Sequence, residues 1–363
     1  MKNITIFFKK LSCIKTVTYG FTMIIAFILP HSLANANQQD QEKITLATQA
    51  HVIKLISAKL TQEYVFHEKA NKIVLQLNQL QSSGHFNNFI SSSEFSSELT
   101  KQLQVLSQDK HLQVEFTPEA MPLELSAEMQ NVRKAEELAM WRAHNFGFEK
   151  IERLPFNIGY LQLTAFGPVK EVAPLLASAM NLLANTDSLI IDLRGNFGGE
   201  EQTVSMLASY FFEERTHLLD MFKRKNNVIE QHWSHEYVEG ARYDSAKNVY
   251  ILIDKDTFSA AEDFSYTMKH LSTATLIGEQ TGGAANSGDF VQLTPHFSMF
   301  LPSGRGVNPM TQTNWEGTGV KPDIHVAADQ ALNVAQKTIL EKILAKETHE
   351  GRKKRLNARI SSL

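Results

Sequence analysis

The stretch "TFSAAEDF", residues 257–264, sets Ser259 three residues ahead of Glu262. Two chemistries fit that spacing. In a capping box the two side chains satisfy orphan backbone N–H groups at a helix start, which is the commoner use of S-x-x-E. Alternatively, Ser259 is a nucleophile at the head of a helix, where the positive end of the dipole favours developing negative charge. A second stretch bears on the choice. "DLRGNFGGE", residues 192–200, places Gly195, Gly198 and Gly199 close together. Such a run makes a tight strand-to-helix turn, or it exposes bare N–H groups as an oxyanion hole. In the second case the N–H of Gly198 or Gly199 acts with that of Ala260. A serine nucleophile still needs a base, and neither stretch supplies one.

Other chemistries are thinly represented. "HWSHE" sets His232 and His235 at i, i+3, without H-E-x-x-H and without a third ligand in spacing. No metal is expected there, and the segment reads as a surface strand or loop. The single cysteine, Cys13, precedes an apolar run and has no lipobox context. The chain beyond it has no thiol nucleophile, disulfide or cysteine metal site. No P-loop or dinucleotide fingerprint occurs, so no cofactor is expected. A net charge of −3 over 363 residues gives no sign of a nucleic-acid partner.

The elements around the two stretches follow from periodicity. Residues 45–107 carry three helical stripes: Val52, Ile53, Leu55, Ile56 and Leu60, then Ile73, Val74, Leu77 and Leu80, then Phe95, Leu99, Leu103 and Leu106. "SSGHFNN" and "SSSE" between them read as turn and cap. The pattern drops towards strand in "DKHLQVEF", and a polar helix follows around "SAEMQNVRKAEELAMWRAHN". From 155 the pattern alternates: strand "IGYLQLTAF", helix "VKEVAPLLASAMNLLAN", buried strand "SLIIDLRG", helix "EEQTVSMLASYFF", buried strand "VYILID", helix "SAAEDFSYTMKHL", strand "ATLIGE". Such alternation predicts an α/β core of parallel strands joined by right-handed crossovers. Sites in such sheets gather at the carboxyl ends of strands, where the glycine loop and Ser259 both fall. The domains expected are a helical bundle over 37–115, a connector over 116–154, the core over 155–330, and a C-terminal helix with a basic, solvated tail over 331–363.

In this order "SLIIDLRGNFGG", "TFSAAEDF", "ATLIGEQTGGAA" and "TNWEGTGVKPDI" resemble the tail-specific, or C-terminal processing, protease superfamily. The branch is that of interphotoreceptor retinoid-binding protein and the tricorn protease core. "YVFHE", "DKHLQV", "LPFNIGYLQL" and "LPSGRGVNPMTQTNWEG" extend the likeness over nearly all of residues 45–330. The resemblance implies a Clp-protease/crotonase-like core and a serine-type peptidase acting on a peptide or protein, with Ser259 as nucleophile. In the processing proteases a downstream lysine is the base; the matching position here is Ala284, and Lys269 matches no motif. In the tricorn-like branch the base is a histidine, here His111, oriented by a glutamate, here Glu316. A serine precedes that histidine in the tricorn branch, whereas this chain has Lys110. The connector is too short for the PDZ domain that many processing proteases insert. A rival reading follows from the retinoid-binding relative, which holds an apolar ligand on this architecture. A hydrolase of small esters would use the same machinery.

The first 36 residues differ from the rest. They hold Lys2, Lys9, Lys10 and Lys15, no acid, the apolar run "YGFTMIIAFILP" and then "ANAN". That order predicts a secretory signal peptide cut after Ala36 and an exported, periplasmic protein. Without those lysines, 32 basic residues face 39 acidic ones, a net charge of −7.

Overall fold

The computed structural model describes residues 43–272 and 274–363. The predicted signal peptide, its cut after Ala36, and Cys13 lie outside the described residues. In chain order the elements are α1 (Leu46–Glu63), α2 (His67–Ser82), α3 (Ser92–Ser107), β1 (Gln113–Phe116), α4 (Ala127–Ala143), β2 (Phe148–Leu154), β3 (Ile158–Leu163), α5 (Val169–Leu183), β4 (Ser188–Asp192) and α6 (Glu201–Ala208). The chain continues through β5 (His217–Lys223), β6 (Val228–Trp233), β7 (Asn248–Ile253), α7 (Ala260–Leu271), β8 (Thr275–Gly278), β9 (Gly288–Thr294), β10 (Phe297–Pro302), β11 (Gly304–Val307), β12 (Ile324–His325), α8 (Ala331–Lys346) and α9 (Glu350–Ser361).

The central sheet runs β12-β8-β7-β4-β3-β2, with every pair parallel except β2 against β3. Its middle strand shows why "SLIID" has no polar alternation: both faces are covered. Leu189 and Ile191 pack with Leu176, Val204 and Phe264 of the helices on one face. Ile190 points the other way, with Tyr250, Ile277 and the α8 residues Ala335 and Ile339. Each such side chain contributes about 1.5–3 kcal/mol by leaving water. The basic tail, expected as a fraying, solvated helix end, forms the mostly exposed α9. It is held by fully buried Leu356 and by an Arg359 bond to Gln336 at 3.0 Å.

The helical part is capped as its sequence suggests: the Ser91 hydroxyl accepts the Glu94 N–H at 3.2 Å. Its buried faces are the predicted stripes, led by Val52, Ile53, Ile56, Leu60, Ile73, Leu77, Phe95, Leu99 and Leu103. They do not close on themselves alone. β1 pairs antiparallel with β10, Gln113 opposite Phe300, and β10 pairs with β9. Leu293, Phe297, Met299 and Leu301 of that hairpin complete the helical core, with Phe95 edge-on to Phe297 at 6.1 Å. The helical bundle and the α/β core thus share one small sheet. α4, in the connector, buries no residue. Among the described residues no helix is long and apolar enough to cross a membrane.

Candidate functional site

Ser259 ends the turn from β7 into α7. Its backbone lies at φ 52°, ψ −118°, a region costly for a residue with a Cβ and held only when its surroundings over-determine it. Those surroundings are visible. The Thr257 hydroxyl donates to Leu193 O at 2.9 Å, Phe258 N–H to Asn196 O at 2.9 Å, and Gly195 N–H to Asp254 Oδ1 at 3.0 Å. The exits of β4 and β7 are thereby stitched together. The capping box is real as well: Ser259 is the N-cap, and its N–H donates to the Glu262 carboxylate at 2.9 Å. The cap does not exclude the nucleophile reading of Ser259, because it holds the same turn that presents the hydroxyl.

The glycine loop lies directly against the serine. A Cβ on Gly198 would stand 2.8 Å from Ser259 Cβ and 2.9 Å from Ala260 N, at φ 102°. The Gly198 N–H, however, donates to Asn196 Oδ1 at 2.9 Å, so in this conformation it is not available to a substrate oxygen. Among the described residues no protein acceptor takes the N–H of Gly199 or of Ala260. Of the expected donors, these two are the pair left free. Gly199, at φ 140°, would place a Cβ 2.0 Å from Phe166 O. Gly199→Ala is therefore expected to destabilise the fold by about 2 kcal/mol or more, through strain and clash with backbone that cannot retreat. A denaturant midpoint unchanged from wild type would contradict this.

His111 enters from the other end of the chain, just before β1. Pairing of β1 with β10 brings its ring between Phe258, with centroids 5.0 Å apart, and Phe300, stacked at 5.5 Å. It thus neighbours the residue preceding Ser259, although no hydrogen bond joins the two side chains here. The loop carrying Glu316 is fixed by three contacts. Trp315 Nε1 donates to Ala284 O at 2.9 Å, Gly317 N–H to Gly283 O at 3.0 Å, and Glu316 N–H to Asn314 Oδ1 at 3.0 Å. Glu316 Oε2 accepts from Ala285 N–H at 2.6 Å. Its Oε1 and the His111 Nδ1 are both buried without a partner. One ligand atom each of His111, Glu316 and Asp109 lie within 4.8 Å of one another. Burial pushes the His111 imidazole below its ordinary value, against the pull of Asp109. Burial, and then the nearby Asp109 charge, push Glu316 up to about 8. These three are also the one group of three or more His, Cys, Asp or Glu side chains among the described residues close enough together to hold a metal ion. His232 instead lies in β6, 3.7 Å from Glu201.

Asp109 was not singled out by the sequence patterns. Its signal was the D-x-H spacing in "DKH", because an aspartate at the start of a turn accepts the N–H two residues on, here that of His111. Glu262 was read only as a cap partner, yet it is fully buried. It accepts from Thr281 Oγ1 at 2.5 Å and from the N–H groups of Gly283 at 2.6 Å and Ala284 at 2.9 Å. It ties the nucleophile's turn to the loop whose other side holds Glu316. Ala284, where the processing proteases carry lysine, is itself fully buried. Lys269 is occupied in the last turn of α7, with Asp323 at 2.7 Å and Lys321 O at 2.7 Å. Lys110 turns away from His111 to donate to Gly282 O.

One turn beyond the cap, Asp263 is buried and pushed up to about 7, by burial first and then by Glu201. A carboxyl group that binds its proton more tightly folded than unfolded stabilises the fold below about pH 4. That contribution is lost as pH rises through about 7. Asp263→Asn should therefore raise stability at pH 8 by about 1–2 kcal/mol and leave it nearly unchanged at pH 4. Urea unfolding at the two pH values decides it; an equal change at both would refute the charge argument.

Fold and site together define a class: a mostly parallel α/β sheet, a helical N-terminal region, and a serine-bearing strand-to-helix turn facing a glycine loop. The profile of peptidase family S41 matches residues 157–326, and that of the N-terminal domain of peptidase S41 in eukaryotic IRBP matches residues 39–143. Residues 157–326 thus form a peptidase family S41 domain, preceded by the N-terminal domain of that family. Among solved structures it shares its fold with mature CPAF, at a TM-score of 0.55 and 13% identity, over 79% of this chain and 94% of that one. It also resembles a lipoprotein from Streptococcus agalactiae, at 0.52 and 16%, over 81% and 96%. A protein from Parabacteroides merdae assigned to the peptidases matches at 0.55 and 18%, over 80% and 96%.

Proposed function

We propose that this protein is an exported, periplasmic serine-type peptidase, acting on peptide or protein substrates without a metal or cofactor. Ser259 Oγ attacks the scissile carbonyl carbon and passes its proton to His111 Nε2. The carbonyl oxygen, now negative, is received by the N–H groups of Gly199 and Ala260, the latter at the positive end of α7. His111 then returns the proton to the leaving amine, and a water repeats the sequence to free the acyl group. Glu316 Oε1 takes the hydrogen bond of His111 Nδ1–H and thereby fixes the tautomer that leaves Nε2 able to accept. Both atoms are buried without a partner, and the two side chains have ligand atoms within 4.8 Å of each other. Catalytic hydrogen bonds are commonly long before substrate arrives.

The observation that carries this reading is the Ser259 backbone. A fold that wanted only a helix cap has no need of φ 52° at a residue with a side chain. The test is a fluorophosphonate probe on the protein cut after Ala36, followed by peptide mapping. Labelling at Ser259 is expected. Absence of any label, with tight uptake of an apolar ligand, would overturn the reading in favour of a binding protein. Labelling with turnover of small esters but of no peptide would narrow it to an esterase.

A further inference from the structure

We propose that Asp109 is a positioning residue for this reaction, holding the His111 main chain and setting, by its charge, when Glu316 becomes able to accept from His111. The inference rests on the function proposed above and names a residue outside its three catalytic groups. Asp109 is 1% exposed. Its Oδ1 accepts the His111 N–H at 3.0 Å, while Oδ2 accepts Asn286 Nδ2 at 2.9 Å and Tyr64 O–H at 3.1 Å. Three donated hydrogen bonds hold the negative charge in place. They come from three parts of the chain: the end of α1, the β1 approach, and the loop beside Glu316. Asp109 therefore fixes where the imidazole begins, and it fixes that point to the core.

Its second effect is electrostatic. The groups facing the His111–Glu316 pair are Asp109, Glu262 and the Tyr64 phenol; the neighbouring Lys110 ammonium is turned onto Gly282 O. Among the described residues, the pair thus sits among acids with no facing cation. A negative charge within 4.8 Å of Glu316 favours its neutral form. A neutral Glu316 offers His111 Nδ1–H only a weak, uncharged acceptor and no charge to stabilise the imidazolium, and if its O–H donates instead it fixes the wrong tautomer. Asp109 thereby keeps the base idle at low pH and releases it as Glu316 ionises.

The test is the pH–rate profile of Asp109→Asn on a chromogenic peptide or ester that the wild type turns over. Asparagine keeps the Oδ1 acceptor for His111 and removes the charge; its new Nδ2 donor is met by the Tyr64 hydroxyl oxygen and by a turned Asn286 amide, whose Oδ1 is otherwise unpartnered. The rising limb should move to lower pH by about half a unit to one unit, which raises the fraction of active enzyme on the acid side three- to tenfold. Tyr64→Phe removes one donor that offsets the Asp109 charge, and it should move the limb slightly the other way. That variant carries the test if Asp109→Asn fails to fold. An even loss of rate at every pH, with the limb unmoved in either variant, would mean that Asp109 is only structural and would overturn the inference. The function reading fails separately, if wild-type protein is not labelled at Ser259.

Discussion

Ser259→Gly should yield a protein that is more stable than wild type and chemically silent. Glycine adopts φ 52°, ψ −118° without a Cβ penalty, so the strain at this turn, about 1–3 kcal/mol, is released. Against that stand the lost cap, worth a few tenths when glycine is the replacement, and the extra freedom of the unfolded chain, about 0.5–1 kcal/mol. The net gain expected is about 0.5–1 kcal/mol, with fluorophosphonate labelling abolished. Ser259→Ala separates the two effects, since alanine keeps the strain and loses the cap; it should be silent and slightly less stable. Two chemically silent variants with opposite stability changes mark a residue held under strain for its hydroxyl. A glycine variant markedly less stable than wild type would show that Ser259 serves the fold, and would return it to a simple cap.

The second large effect is expected at the base. His111→Ala should lower kcat/KM by about 10⁴-fold or more, and its combination with Ser259→Ala should lower it little further, because residues that act as a unit are not additive. Glu316→Gln should be damaging but milder. The pH dependence follows from the two shifts. Burial holds His111 below its usual range, so it is already neutral at pH 7; Glu316, pushed up to about 8, is not yet ionised there. Wild-type activity should therefore climb through neutral pH and level off only above about pH 8. In Glu316→Gln the remaining activity should rise at lower pH, following His111 alone. Near-normal turnover in His111→Ala, together with loss in Lys110→Ala or Lys269→Ala, would make a lysine the base and end the histidine assignment.

Much of this was legible in the sequence, for reasons that can be named. "SLIID" and "VYILID" are apolar on both faces because both faces are covered, and nothing but a central strand does that at such length. Ser259 and the glycine loop were placed at strand ends by the same alternation of strands and helices. The hairpins β5–β6 and β9–β10 were not read. Each is amphipathic and half-exposed, and its partner is fixed by distant packing rather than by local pattern. β1 is only four residues long, so its pairing with β10 could not be foreseen, and the arrival of His111 beside the Ser259 turn was expected from the family resemblance alone. The choice between Gly198 and Gly199 turned on where Asn196 directs its side chain, which no spacing encodes. Asp109 escaped because an acid two residues before a histidine is commonplace until burial gives it meaning.

The β1–β10 pairing also imposes a timetable. The proposed base lies ahead of β1, the proposed nucleophile at the head of α7, and the proposed acid between β11 and β12. The strand that docks the base, β10, comes late in the core. A growing chain makes its helical bundle first, by local contacts that form fast. That bundle lacks Phe297, Met299 and Leu301 until the hairpin arrives. Closing so long a loop is slow. Until it closes, the proposed base and nucleophile are apart. On the proposed function, the order of the chain's own elements thus delays the chemistry until the fold is complete.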